Sequence, residues 1–405
     1  MRFQFIHAAD LHIDSPFAAL GAKDAGVAAT FAAAGRKAVE ALIEETIASG
    51  ARFLVIAGDV FDGDWKDVST GLFFARQLGK LERAGVRTYL IKGNHDAENV
   101  MSRRLDYPPG VHLFETRKGQ TALIEDLRVA LHGRSFADRA VPADFLAGYA
   151  QPRKGWLNIG VLHTSLDGSA GHDPYAPCTV QDLARFGYDY WALGHIHAAS
   201  VVSQEPWVVY PGNIQGRSPR ETGPKGAMRV TVEDGRIVAV EPMILDAARW
   251  ALARAELGGL EDEATIASAI DAALAAAHAQ SDGRPLAVRL TLTGVTSAHA
   301  RLMARAEEWR DEARALGFRL AEDCWVESLR VETSAPLAVV SHDPDALDVP
   351  GLLTATAQDP AFLTDIAELV ASVAGKAPPG VLEALAARTT ADWASRARDL
   401  LLGAR

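Results

Sequence analysis

The chain of 405 residues is too long for one compact core, and its hydrophobic (48%) and charged (23%) fractions are ordinary for a globular protein. Its 41 basic and 52 acidic residues give a net charge of −11, which excludes a global positive field for attracting nucleic acid. Two cysteines exclude a disulfide scaffold, and the lack of a signal-type N-terminus or a long apolar run predicts a cytoplasmic protein without membrane contact.

The first ninety residues alternate between strand and helix patterns. Apolar runs predict strands over 3–9, 53–57 and 86–91, and helical spacing predicts helices over 32–49 and 69–83. The order is β-α-β-α-β, which is typical of a largely parallel sheet covered by helices.

The next segment consists mostly of short strands. The strands are predicted over 111–114, 122–125, 129–132, 157–162, 188–193, 207–210, 228–232 and 237–244, with one helix over 180–186. A second sheet that faces the first, with helices outside, accounts for this pattern. We expect the first domain to end near Asp246.

The remainder of the chain predicts a smaller unit and a helical end. A helix over 263–278 precedes a β-α-β pattern of strand 286–293, helix 297–316 and strand 324–332. The segment 343–350 is rich in Asp and Pro and is interpreted as a linker, and helices follow over 361–374 and 380–402. Their apolar stripes dock either on this chain or on a partner. The predicted domains are 1–245, 246–340 and 341–405.

Five of the predicted strands end in side chains that bind metals. These side chains are Asp10, His12, Asp59, Asn94, His95, His163, His195 and His197. Oxygen and imidazole ligands without thiolate indicate Mn²⁺, Fe or Zn²⁺. Seven ligands, leaving His95 aside, are too many for one catalytic ion, whereas two ions that share a carboxylate would use them all. Such a pair serves phosphoester hydrolysis.

The order of these motifs, D-x-H, G-D, G-N-H-D, H-T and G-H-x-H within residues 1–245, resembles the calcineurin-like metallophosphoesterase superfamily. The resemblance implies an α/β fold: a four-layer αββα sandwich, here with a small α+β capping domain and C-terminal helices. It implies two divalent ions, Mn²⁺ before Fe or Zn²⁺. The implied ligands are Asp10, His12, Asp59 and His197 for one ion and Asp59, Asn94, His163 and His195 for the other. His95 would contact the substrate phosphate and protonate the leaving oxygen.

Within the superfamily, the segments 8–14, 58–62, 162–168, 175–178, 188–197 and 210–217 look like the SbcD and YhaO group of DNA repair exonucleases. This likeness implies hydrolysis of DNA phosphodiester bonds by an exonuclease or endonuclease. It also implies an SMC-like ATPase as partner, bound by the C-terminal helices, and allows a homodimer. Asp62 stands where eukaryotic members carry a second histidine, and it either orients His95 or caps its loop.

Several alternatives remain open from the sequence. The same fold serves phosphatases or phosphodiesterases for small nucleotides or phosphoproteins, and a non-catalytic scaffold is a third reading. The predicted substrate-binding residue is Arg217, whose basic loop either lines a phosphate track or forms a solvated face. Its neighbours are Arg220, Lys225 and Arg229. A second basic cluster comprises Arg103, Arg104, Arg117 and Lys118. The residues Trp250, Trp309 and Trp325 either stack on bases or pack in a core, and Asp14 and Asp96 either cap turns or hold ligand histidines.

Overall fold

The computed structural model describes residues 1–15, 25–62, 68–98, 105–138, 145–166, 176, 178–336, 348–374, 385 and 388–403. The chain divides into two compact units. The first is formed by 1–251 with 279–287, and the second by 252–278 with 288–405. Among the described residues, no helix combines the length and the apolar character that crossing a membrane requires.

Two six-stranded sheets make up the first unit. Its elements in chain order are β1 (Arg2–Ala8), α1 (Ala25–Ala48), β2 (Phe53–Ala57), α2 (Val68–Arg83), β3 (Arg87–Ile91), α3 (Asn94–Glu98), β4 (Val111–Leu113), β5 (Gln120–Ile124), β6 (Val129–Gly133), β7 (Leu157–His163), α4 (Val180–Arg185), β8 (Tyr190–Gly194), β9 (Ser200–Gln204), β10 (Trp207–Tyr210), β11 (Gly226–Glu233) and β12 (Arg236–Ile244). The first sheet has the order β12-β11-β1-β2-β3-β4 and the second β5-β6-β7-β8-β10-β9.

The central strands of both sheets are parallel. In the first sheet β1, β2, β3 and β4 run the same way, β11 is antiparallel to β1, and the edge strand β12 is antiparallel to β11. In the second sheet β6, β7, β8 and β10 are parallel, and the edge strands β5 and β9 are antiparallel. Parallel strands place their carboxyl ends along one edge, where ligands bind in α/β sheets.

The buried residues of β2 show how the layers form. All five side chains are buried, and they alternate between two faces. Phe53 and Val55 belong to the core between the two sheets, which also holds Tyr190. Leu54 and Ile56 pack on the other side with residues of α1 and α2. A third core around Trp191 and Leu183 covers the outer face of the second sheet. The four-layer αββα prediction is therefore confirmed.

The second unit contains a parallel three-stranded sheet and helices. The remaining elements of the chain, most of whose residues belong to this unit, are β13 (Arg249–Glu256), α5 (Glu263–Ala279), β14 (Leu286–Val295), α6 (His299–Ala304), α7 (Ala306–Leu320), β15 (Cys324–Ser334), α8 (Val349–Gln358), α9 (Pro360–Ala374) and α10 (Thr390–Gly403). The strand order is β13-β14-β15. The amide of Leu257, just after β13, donates to the carbonyl of Thr293, and that of Thr296 donates to Ser334, both in parallel register.

The structure differs from the predicted elements at a few places. The strands β9 and β13 were not predicted, and the helix predicted over 297–316 is divided into α6 and α7 at Arg305. The interpretation of 343–350 as a linker was wrong at its end, because Asp348 caps α8 through the amide of Gly351. Residues 343–347 and 380–384 lie outside the described part, so neither the rest of that linker nor the start of the last predicted helix is described.

Candidate metal centre

The carboxyl ends of β1, β2, β3, β7 and β8 bring the predicted ligands together between the two sheets. The first sheet contributes the residues that follow β1, β2 and β3, and the second contributes those that end or follow β7 and β8. Backbone bonds fix the loops to each other: the amide of Asp10 donates to the carbonyl of Gly58 at 3.0 Å, and the amide of His12 donates to that of Asp59 at 3.1 Å.

Four of the ligand residues adopt a left-handed backbone. The φ angles of Asp10, His12, Asp59 and His195 are 52°, 43°, 51° and 96°. Such angles are unfavourable for residues other than glycine and persist only where the surrounding structure enforces them. The loops are thus bent so that each side chain turns into the same space.

Two glycines allow these loops to approach closely. A Cβ atom on Gly93 would lie 2.2 Å from Oδ1 of Asp59. One on Gly194 would lie 2.1 Å from the carbonyl oxygen of Ala57 and 2.8 Å from Nδ1 of His163. Any side chain at either position would therefore displace a candidate ligand.

The first ligand group consists of Asp10, His12 and His197, whose donor atoms all lie within 4.8 Å of one another. The Nε2 atoms of His12 and His197 are 3.2 Å apart, and Nε2 of His197 lies 4.0 Å from Oδ1 of Asp10. His12 and Asp10 are buried, and Nδ1 of His12 has no hydrogen-bond partner among the described residues. Facing nitrogen and oxygen donors of this kind fit a divalent cation.

The second group consists of Asp59, His163 and His195, again with donor atoms within 4.8 Å. Nε2 of His163 lies 3.3 Å from Oδ2 of Asp59 and 3.0 Å from Oδ1 of Asn94. The same Oδ2 of Asp59 lies 4.0 Å from Nε2 of His12 in the first group. Asp59 therefore stands between the two groups, and the donor set fits two cations that share one carboxylate.

A third cluster joins His95 to the first group through Asp62. Nδ1 of His95 donates to Oδ1 of Asp62 at 3.0 Å, and the other oxygen of Asp62 accepts from Ser15 at 2.6 Å and from Arg217 at 3.1 Å. The guanidinium of Arg217 also lies 3.4 Å from Nδ1 of His197. Of the two readings of Asp62, orientation of His95 is the one that these contacts favour.

Burial and neighbouring charges set the protonation of the cluster. Burial would raise the pKa of Asp59, but the charge and hydrogen bond of His163 lower it well below its usual value. Burial likewise opposes the charge of His163, yet Asp59 outweighs it and raises the pKa of His163 to about 9. Burial lowers the pKa of His12 far below its ordinary value. At neutral pH Asp59 is therefore a carboxylate and His12 is a neutral imidazole. His163 carries a proton that a bound cation would displace.

Asp96 fastens two of the loops. Its carboxylate accepts from the amides of Val60 and Phe61, at 3.0 Å each, and from that of Gly93 at 3.1 Å. It therefore caps turns, which was one of its two predicted uses, and it joins the loop after β2 to the loop after β3. Asp14 instead accepts a bidentate bond from Arg36.

Glu221 is a residue of the site that the sequence did not reveal. Its Oε1 accepts from Nδ1 of His197 at 2.7 Å, and its Oε2 accepts from the amide of Arg217 at 2.6 Å and from Asn213 at 3.0 Å. Burial would raise the pKa of Glu221, but the hydrogen bond and charge of His197 lower it to about 2. It lies within the basic loop between Arg220 and Lys225, and no motif links it to the histidines.

The other basic and aromatic residues named from the sequence lie in different environments. Lys225 donates to the carbonyl of His197, Arg220 is exposed, and Arg229 is partly buried in β11, so these side chains do not form one track. Trp250 and Trp309 are buried, which agrees with core packing, one of their two predicted uses. Arg117 and Lys118 are exposed, whereas Arg103 and Arg104 lie outside the described residues.

Two facing sheets with aspartate and histidine at their strand ends define a metallophosphoesterase. A family model described as calcineurin-like phosphoesterase matches residues 3–199, and one described as the middle domain of metallophosphoesterase YhaO matches 250–334. The chain is 34% identical over 313 residues to the "Uncharacterized metallophosphoesterase YhaO" of Bacillus subtilis (strain 168), covering 76% of this chain and 74% of that protein. The chain therefore belongs to the calcineurin-like metallophosphoesterases of the YhaO type.

More distant likenesses were also found. The chain is 26% identical over 213 residues to the DNA double-strand break repair protein Mre11 of Methanopyrus kandleri, which covers 48% of this chain and 44% of that protein. A crystal structure of the protein TT1561 of Thermus thermophilus is 12% identical with a TM-score of 0.35, and the match covers 60% of this chain and 99% of that chain. The family membership rests on the YhaO likeness and not on these two.

Proposed function

We propose that the chain hydrolyses phosphodiester bonds of DNA with two divalent cations, most simply Mn²⁺, as an exonuclease or endonuclease in DNA repair. The observation that carries the two-ion part is the position of Asp59, whose Oδ2 lies 3.3 Å from Nε2 of His163 and 4.0 Å from Nε2 of His12. One ion would be held by Asp10, His12, Asp59 and His197, and the other by Asp59, Asn94, His163 and His195. The bound cations supply Lewis acidity and a more acidic water.

The residues around the ions provide a proton donor and a positive charge for the substrate. His95 is 35% exposed and bonded through Nδ1 to Asp62, which leaves Nε2 to protonate the leaving oxygen. The hydrogen bond to Asp62 raises the pKa of His95, so more of it carries the needed proton at neutral pH. Arg217 is 22% exposed beside Asp62 and supplies a positive charge for a phosphate oxygen.

One finding supports DNA as the substrate, and the local charge of the site answers an objection to it. The likeness to the Mre11 protein, named for double-strand break repair, covers about half of the chain. A net charge of −11 is unfavourable for binding a polyanion, and two cations with Arg217 would provide local positive charge. An SMC-like ATPase partner would supply further affinity, and a homodimer is a second source.

The C-terminal helices support such a partner. No residue of α9 is buried, and Leu369 and Val373 on it are 64% and 45% exposed. Leu352 on α8 and Leu401 on α10 are 53% and 61% exposed. Exposed apolar side chains on neighbouring helices are typical of a surface that binds another protein. We propose that the SMC-like ATPase docks there.

Labelled single-stranded and duplex oligonucleotides test the substrate, with Mn²⁺, with chelator, and with the SMC-like ATPase added. We expect Mn²⁺-dependent cleavage that His95→Asn and Arg217→Ala reduce and that Arg254→Ala, a change at an exposed arginine on β13, leaves unchanged. Nucleotides and bis-p-nitrophenyl phosphate serve as comparison substrates. Hydrolysis of these without any cleavage of DNA would replace the nuclease proposal by the small-nucleotide alternative.

A further inference from the structure

Glu221 holds the candidate ligand His197 from the side opposite the metal centre. Its carboxylate accepts from Nδ1 of the His197 ring at 2.7 Å, while Nε2 of the same ring lies 3.2 Å from Nε2 of His12. Glu221 is 15% exposed, and its second oxygen is occupied by the Arg217 amide and the Asn213 side chain. A carboxylate in this position fixes the proton on Nδ1 and leaves the Nε2 lone pair for a cation.

We propose that Glu221 is a positioning residue that strengthens one of the two cation sites, the one that contains His197, and leaves the other largely unaffected. The inference rests on the metal centre of the proposed function, but not on DNA as the substrate. A negatively charged acceptor increases the electron density of the imidazole and orients its ring, and both effects strengthen the bond to a cation.

One histidine of the other group, His163, has a neutral partner in place of a carboxylate. Nδ1 of His163 donates to the carbonyl oxygen of Ala57 at 2.9 Å, so its acceptor is a neutral backbone group. Its Nε2 faces Asp59 and Asn94. The two groups thus differ in the charge behind a ligand histidine, and this difference predicts two unequal cation affinities.

The loop that carries Glu221 is itself well anchored. Gln215 donates to the carbonyl of Ala248 at 2.7 Å and accepts from the amide of Ala247 at 2.9 Å. The indole of Trp250 donates to the carbonyl of Gly216 at 3.2 Å. Lys225 holds the main chain of His197 itself, through its carbonyl, at 3.1 Å. The carboxylate is therefore presented by a fixed loop and not by a free side chain.

Mn²⁺ titration of the chelator-treated full chain tests the inference, by calorimetry and by counting bound ions after gel filtration. We expect two ions in the wild-type protein. Glu221→Gln keeps a similar shape without the charge, and we expect it to weaken one ion about 10- to 100-fold and to leave the other at its wild-type affinity. Glu241→Gln, at an exposed position on β12, is the matched control and should bind both ions normally.

A double-mutant cycle with His197→Ala shows whether Glu221 acts through the histidine. If it does, Glu221→Gln has little further effect on Mn²⁺ binding once His197 is absent. Equal weakening of both ions, or an additive cycle, would make Glu221 a structural residue and overturn the inference. Wild-type affinity in Glu221→Gln would overturn it too, while a wild-type protein that does not bind a pair of ions would also refute the proposed metal centre.

Discussion

Replacing Asp62 by asparagine is expected to move the alkaline limb of the pH–rate profile to lower pH. His95 donates to Asp62 at 3.0 Å, and this bond raises the pKa of His95. A hydrogen bond to a charged group contributes about 1.5–3 kcal/mol, which corresponds to roughly one to two pKa units. Above the shifted pKa, protonated His95 is about 10- to 100-fold rarer, so a step that needs its proton slows by a similar factor.

Two substrates with different leaving groups separate this role from simple damage to the site. The p-nitrophenyl ester of thymidine 5′-phosphate releases a stable anion that needs no proton, whereas a labelled dinucleotide releases a sugar oxygen that does. We expect His95→Asn to slow dinucleotide cleavage by about 10² to 10⁴ and to affect the nitrophenyl ester far less. Asp62→Asn should show the same selectivity with a smaller loss, measured as kcat at saturating Mn²⁺.

The control is Asp126→Asn, which removes an exposed carboxylate that pairs with Arg52 on the surface of the first unit. Its profile should match that of the wild-type protein on both substrates. Equal losses on the two substrates in His95→Asn would refute the proton donor, because a donor matters only where the leaving oxygen needs a proton. An unshifted alkaline limb in Asp62→Asn would refute the coupling between the two side chains.

Three further outcomes follow from the geometry. Gly194→Ala places a Cβ atom 2.1 Å from the carbonyl oxygen of Ala57, so we expect its free energy of unfolding, measured in urea, to fall by about 1–3 kcal/mol. Gly35 lies in open space on α1, and Gly35→Ala should raise the free energy of unfolding by up to about 1 kcal/mol. Mn²⁺ binding at pH 7 should release protons and strengthen as pH rises, because the pKa of His163 is raised to about 9, and calorimetry in buffers of different ionisation enthalpy measures this. Burial lowers the pKa of His7 to about 3 in the folded protein. Between pH 6.5 and 3 His7 is therefore protonated in the unfolded chain but not in the folded protein, and the free energy of unfolding falls by up to about 1.4 kcal/mol per pH unit as the pH is lowered. His7→Gln should flatten that slope.

Each of these outcomes has a contrary result. Equal urea midpoints for the Gly194 and Gly35 variants would show that the loop yields to the added methyl group. Mn²⁺ uptake without proton release would show that His163 is neutral in the metal-free protein. For His7, the ring donates to the carbonyl of Leu193 and accepts from Tyr190, so an unchanged slope in His7→Gln would mean that other groups govern acid stability.

The strands that carry the site were predictable because they are buried on both faces. Runs such as 53–57 are apolar at every position, and the polar residues that follow them must lie at a sheet edge. The chain order of Asp10, Asp59, His163 and His197 then placed the candidate ligands in adjoining loops. Local sequence was sufficient here because each candidate ligand ends its strand or follows it within four residues.

The contacts that depend on long-range folding were not predictable. Glu221 is 24 residues from His197 in the sequence, beyond β9 and β10, and nothing in its own neighbourhood indicates a histidine partner. The start of α8 was not predicted for a different reason: Asp348 and Pro350 are typical both of linkers and of helix starts. Only the apolar residues later in the segment distinguish a helix start from a linker.

The left-handed backbone of Asp10, His12, Asp59 and His195 has a consequence for laboratory evolution. Each such residue costs on the order of 1–3 kcal/mol, and glycine or asparagine would adopt the same angles more easily. Selection for heat resistance alone will therefore favour glycine or asparagine at these positions. A variant stabilised in that way would lose one of its candidate metal ligands.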